Sequence, residues 1–134
     1  MSRGLSNNNP GNIRKSPTKW QGEKVPSTDP AFKQFTSMAY GYRAMLKLLQ
    51  NYSWLNGCKT VSQMINRWAP PSENHTDNYI RAVCAGAGVQ PDQVVDVYNR
   101  NIMCRIAAAM SRVENGVPAN MVDVNAGWDL LIKQ

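Results

Sequence analysis

The chain has 134 residues, 43% hydrophobic and 18% charged, with a formal net charge of +6 and a pI near 9.5. That length suits one compact domain over residues 1–134, large enough to bury roughly two-thirds of its unfolded surface without disulfide or metal staples. The basic balance favours polyanionic partners, but Lys and Arg are scattered with no run of five, which argues against specific nucleic-acid recognition.

Residues 1–36 carry four prolines, Pro10, Pro17, Pro26 and Pro30, and read as largely irregular. Asn9-Pro10-Gly11 is a turn signal. Ile13–Lys15 and Lys19–Gln21 are expected to pair as a short hairpin across Ser16-Pro17-Thr18. Phe32 and Phe35 follow a turn at Asp29-Pro30. Ser37 is a natural N-cap for a first helix whose buried stripe is Met38, Tyr42, Met45, Leu49 and Tyr52, at steps of four, three, four and three. A second helix starts at Thr60, turns Val61, Met64, Ile65 and Trp68 inward, and stops at Pro70-Pro71. Thr76 is expected to cap a third, with Tyr79, Ile80 and Val83 inward and Gly86 and Gly88 closing it. Residues 91–97 fit no pattern. A strong helix from about Asn99 carries Ile102, Ile106, Met110 and Val113 on its apolar face and ends at Asn115-Gly116. A last helix after Pro118 has Met121, Val124, Trp128 and Leu131 in register. The expected fold class is mainly α, of the α+β kind, with a short N-terminal hairpin or irregular segment.

Few side chains suggest chemistry. Cys58, Cys84 and Cys104 are odd in number and widely spaced, and His75 is the sole histidine, so neither a disulfide framework nor a metal site is expected. No cofactor is implied. No apolar stretch reaches 18 residues, so no membrane span is expected. The first residues lack the apolar core of a signal peptide, which points to synthesis in the cytoplasm.

Glutamate occurs three times, as Glu23, Glu73 and Glu114. Glu114 follows Val113 on the apolar stripe and should lie beside the core. Burial disfavours the charged form of a carboxyl, and a carboxyl kept protonated near neutrality can act as a general acid. The alternative is a solvated Glu at a helix end, where the helix dipole opposes its charge. Glu73, between Pro70-Pro71 and Thr76, either supplies favourable negative charge at a helix start or sits in a cleft ordering a water or a hydroxyl. Thr76 has the same choice between cap and cleft. Tyr79 is either a core residue with a bonded hydroxyl or a site residue. Asn8, Asn9 and Asn12 suit tight turns and equally offer amide donors and acceptors to N-acetyl sugars. Trp20 offers a flat apolar face on which a sugar could stack or which the core could bury.

The segment Ile106-Ala107-Ala108-Ala109-Met110-Ser111-Arg112-Val113-Glu114-Asn115-Gly116 resembles the helix that carries the catalytic Glu of soluble lytic transglycosylases and goose-type lysozymes. There an apolar helix ends in Glu-Ser-Gly. Here Asn115 takes the Ser position, Val117 stands where an aromatic is usual, and no Gly-rich loop follows. Asn9-Pro10-Gly11-Asn12-Ile13-Arg14, with Trp20 and Gly22, is similar to the segment Asn-Leu-Phe-Gly-Ile-Lys…Trp-x-Gly of bacterial cell-wall glucosaminidases. Trp68-Ala69 and Thr76-Asp77-Asn78-Tyr79 are similar to the later Tyr-Ala-Thr-Asp-Pro-x-Tyr, split by residues 70–75. In those enzymes the Glu motif leads; here it trails.

The resemblance therefore implies a circularly permuted lysozyme-like domain. It also extends to small phage and prophage proteins, often virion components. It implies cleavage of the bond from N-acetylmuramic acid to N-acetylglucosamine, with Glu114 as acid, Tyr79 and Glu73 beside it, and Asn8, Asn9, Asn12, Trp20 and Thr76 binding substrate. Peptidoglycan is the implied partner of a monomeric protein acting on the cell wall after release or within a virion, where other virion proteins could contact it. With no clear second carboxylate, a lytic transglycosylase stands ahead of a muramidase. The rival is a virion structural or glycan-binding protein that keeps the fold without turnover. The geometric expectation is that Glu114 faces Asn9, Asn12 and Tyr79 across one cleft.

Overall fold

Helix caps and apolar stripes set most of the architecture. The computed structural model describes residues 1–133, and its elements in chain order are α1 (Arg3–Ser6), β1 (Glu23–Lys24), β2 (Gln34–Phe35), α2 (Met38–Asn56), α3 (Val61–Trp68), α4 (Thr76–Ala87), α5 (Arg100–Asn115) and α6 (Met121–Ile132). Ser37 caps α2 by accepting from the Tyr40 amide, and Thr60 and Gln63 form a reciprocal capping box at the start of α3. Asn99 and Asn120 cap α5 and α6. Gly57, Gly88 and Gly116 end α2, α4 and α5 in the left-handed region.

The molecule is mainly helical, with one two-stranded sheet. Helix α2 is the central rod: Tyr42, Met45, Leu46 and Leu49 are essentially inaccessible, with α6 along one side and α5 and α3 against others. The Tyr42 and Ser111 hydroxyls share a buried hydrogen bond of 2.9 Å that ties α2 to α5. Gly41 lets the N-terminal chain lie directly on α2, since a Cβ there would stand 2.1 Å from the Asn8 carbonyl oxygen.

The N-terminal pairing differs from the expected hairpin. Residues 13–15 pair with 31–33, through Lys15 N–H to Ala31 O and Lys33 N–H to Ile13 O, while β1 and β2 pair antiparallel with Glu23 opposite Phe35. The cause is Lys33, which is buried. Its ammonium donates to the Ser16 and Thr18 carbonyls at 3.3 and 2.9 Å and to both Glu23 carboxylate oxygens at 3.1 and 3.2 Å. Those carbonyls are drawn inward around a buried ion pair, so the Ser16-Pro17-Thr18 loop wraps the ammonium and does not fold back as a tight turn.

Three smaller differences concern the helices. His75, not Thr76, is the residue before α4, and Thr76 is buried with its hydroxyl donating to Ala69 O. Gly86 lies within α4, and Gly88 alone ends it. On α5 the expected Ile106 and Met110 are buried, Met103, Ala107 and Met110 form a buried stripe at steps of four and three, and Val113 is left exposed. The next step of four on that stripe is Glu114.

Candidate functional site

Glu114 is the last residue but one of α5, half-buried, and its carboxylate points toward the N-terminal segment. Two side chains from opposite parts of the chain hold it. Asn12 Nδ2 donates to Oε1 at 2.9 Å, and the Tyr79 hydroxyl donates to Oε2 at 2.8 Å. A carboxylate has about four lone-pair positions, so two remain for a proton or a ligand. The donors also offset the negative end of the α5 dipole.

Local chemistry explains how each partner arrives. Asn8 and Asn12 both adopt positive φ, 52° and 50°, a conformation that asparagine tolerates better than most residues. The turn swings the Asn12 amide to Glu114. Asn115 then fastens the two ends of the chain together: its Nδ2 donates to Pro10 O and Ser111 O, each at 2.9 Å, and its Oδ1 accepts from the Ser2 hydroxyl at 2.7 Å. Tyr79 comes from the first turns of α4 and is buried. Burial raises its phenol well above the usual tyrosine range, the Glu114 charge raises it further, and a hydrogen bond from Trp68 opposes this only in part. Tyr79 therefore stays protonated and serves Glu114 as a donor.

The carboxylate opens onto a cleft of about 330 Å³. One wall is the N-terminal segment, Gly11 to Arg14, with Phe32 behind it; the Arg14 guanidinium lies 5.2 Å from the Phe32 ring centre. The other wall is Tyr52 and Trp68, packed edge to face at 6.3 Å, continuing through Ala69 and Pro70 to Glu73 and Asn74. Gly11 permits this closeness, because a Cβ there would stand 2.7 Å from the Trp68 ring. The cleft thus combines a held carboxylate, a second carboxylate on Glu73, amides from Asn12 and Asn74, and aromatic edges. Among the described residues no group of three or more His, Cys, Asp or Glu comes together as a metal site.

Glu114, Asn12 and Tyr79 are joined by hydrogen bonds, and Glu73 borders the same cleft. Asn9 does not join them. It is fully buried, its amide donates to Ile13 O and Lys33 O at 2.9 Å each, and its oxygen accepts from Ile13 N–H at 2.9 Å. Its side chain mimics backbone and has no group left for a sugar. Asn8 donates to Phe35 O at 3.1 Å and does not line the cleft. Trp20 also lies outside it, packed against the core. Thr76, buried on Ala69, borders a separate pocket with the exposed His75. These four residues shape the scaffold and not the cleft.

Arg14, Phe32, Tyr52, Trp68 and Asn74 were not singled out as site residues from sequence. A signal existed for two of them. Tyr52 and Trp68 are the last large apolar residues of the α2 and α3 stripes, and a stripe that ends in a half-buried aromatic is a natural cleft wall.

Among the described residues no helix is long and apolar enough to cross a membrane. Cys58 and Cys104 are buried, Cys84 is half-buried, and all three are free thiols. No model of a known protein family matches the sequence. The chain is 36% identical over 132 residues to Protein P5 of Pseudoalteromonas phage PM2, covering 96% of this chain and 81% of that protein. With its Glu114 cleft built from both ends of a chain aligned almost throughout, this protein belongs to the family of the phage protein P5.

Proposed function

We propose that the chain is a peptidoglycan-cleaving enzyme with a permuted lysozyme-like domain, and that Glu114 is its general acid and base. The observation that carries this reading is the Glu114 carboxylate, held by Asn12 and Tyr79 at a cleft with aromatic walls. Contact between the C-terminal end of α5 and the Asn-rich N-terminal segment supports the permutation, since these two motifs adjoin in the enzymes they resemble. The phage relative supports a bacteriophage origin for the chain.

In this reading the glycosidic oxygen between N-acetylmuramic acid and N-acetylglucosamine approaches Glu114. The carboxyl donates its proton to that oxygen as the C1–O bond breaks and positive charge builds on the muramoyl ring. Glu114, now a carboxylate, takes a proton from the muramoyl 6-hydroxyl as that oxygen attacks C1. The product is a 1,6-anhydro sugar, and the carboxyl is restored. Glu73 favours a second reading. It borders the same cleft, and a carboxylate that orients water toward C1 would make the enzyme a muramidase with a reducing-end product.

The test uses purified sacculi and compares the wild-type chain with Glu114→Gln. The lytic reading expects soluble fragments from the wild type and a loss of at least about a hundredfold in the variant. Anhydro products mark the transglycosylase, and products heavier by one water mark the muramidase. Fragment release by neither chain would instead favour a virion structural or glycan-binding role.

A further inference from the structure

We propose that the cleft continues past Tyr52 into a second binding arm that takes a carboxylate-bearing stretch of the glycan, with Arg67 as the residue that recognises the carboxylate. This rests on the reading of the protein as glycan-binding, and it specifies where and how the acidic groups of the chain are held.

Tyr52 and Pro70 border both the Glu114 cleft and a neighbouring open groove of about 770 Å³. The two spaces therefore adjoin at these residues, and on this proposal a polymer lying in one passes over them into the other. The groove floor is one side of α3, where Ser62, Gln63, Asn66 and Arg67 fall at helical steps of three and four.

The polar atoms there are sorted by their existing bonds. Gln63 Oε1 accepts from the Lys59 and Thr60 amides at 2.6 and 3.1 Å, which leaves its NH2 group as a donor. Asn66 Nδ2 donates to Ser62 O at 2.8 Å, which leaves its oxygen as an acceptor. A donor and an acceptor one helical step apart match an acetamido group.

Arg67 supplies the charge. It is exposed, and its guanidinium lies 5.4 Å from the Tyr52 ring centre, where the two spaces adjoin. The ion pairs among the described residues use Arg3, Lys33 and Arg100. Arg67 is thus a stacked, planar donor presented at the entrance of the arm, the form in which arginine binds carboxylates in two-point fashion. In a peptide-free peptidoglycan strand the matching group is the free lactyl carboxylate of every second sugar.

Binding can be measured without turnover in a Glu114→Gln background. The probes are peptide-free glycan strands with free lactyl carboxylates, the same strands with those groups converted to amides, and a neutral N-acetylglucosamine oligomer. The free-acid strands should bind about tenfold more tightly than the amidated ones, as one well-formed charged pair would give. Arg67→Gln should remove that preference while leaving oligomer affinity unchanged, which also reports an intact fold.

A preference that survives Arg67→Gln, or that disappears only with Arg14→Gln, would overturn the assignment. So would the absence of any preference in the parent, or of binding to any probe. Failure here is separable from failure of the catalytic reading. Cleavage that persists in Glu114→Gln removes the acid without touching Arg67, and a persistent acid preference removes Arg67 without touching Glu114.

Discussion

Tyr79→Phe removes one hydroxyl and keeps the ring that α4 packs into the core. That hydroxyl donates to Glu114 Oε2 at 2.8 Å, and Asn12 remains on Oε1. A hydrogen bond to a charged group contributes about 1.5–3 kcal/mol. If it fixes the carboxyl for proton transfer, the full loss is about 10- to 150-fold in kcat/KM, at about 1.36 kcal/mol per decade. Glu114 is half-exposed, so water replaces part of the lost donor and the lower end, about tenfold, is expected. The assay is the initial rate of fragment release from sacculi, read beside a thermal melt. The melt should shift by no more than about 5 °C, since the same low-end loss of about 1.5 kcal/mol moves Tm by a few degrees at this size. An unchanged rate with a lowered Tm would show that the hydroxyl serves packing only, and the claim that it orients Glu114 would be wrong.

Other outcomes follow from the same geometry. Asn9→Ala strands the Ile13 amide and two carbonyls in the interior and should cost about 2–5 kcal/mol in chemical denaturation, the penalty for several unpaired buried groups. Lys33→Met leaves the Glu23 carboxylate buried without its cation and should destabilise by about 3–5 kcal/mol, whereas an effect under 1 kcal/mol would mean that water reaches Glu23. Asp29 is held well below the usual carboxylate range, chiefly by its hydrogen bond to Arg3, with further help from Asn7 and the Ala31 and Phe32 amides. Its folded form resists protonation more than its unfolded form, so its stabilisation is complete above the ordinary carboxylate pKa of about 4 and declines as pH falls below that. Asp29→Asn should therefore flatten the acid side of the Tm–pH curve, and an unchanged slope would remove Asp29 from the acid response.

What could be read from sequence was what repeats locally. The α2 stripe of Tyr42, Met45 and Leu49, the cap at Ser37 and the helix starts near Thr60 and Asn99 are each set by neighbours within a turn or two, and all are found. Glu114 was expected beside the core because it follows Val113, but Val113 is exposed and the carboxyl arrives through the Met103, Ala107, Met110 register. The N-terminal segment was harder, because its partners are distant and its strands only two residues long. A lysine at position 33 reads as a surface residue until Glu23, Ser16 and Thr18 are seen around it. The three candidate asparagines of the N-terminal segment also divide by geometry. Asn9 faces inward to substitute for missing backbone bonds, Asn8 holds Phe35, and Asn12 alone reaches Glu114. A side chain's direction within an irregular turn has no period from which to predict it.

The most direct measurement is mass analysis of sacculus digests made by the wild-type chain and by Glu114→Gln, at matched concentration and with matched melting curves. The proposal expects muropeptides ending in 1,6-anhydro-N-acetylmuramic acid from the wild type and almost none from the variant. Equal digestion by a folded Glu114→Gln chain would remove Glu114 as the acid, and with it the function proposed for this cleft.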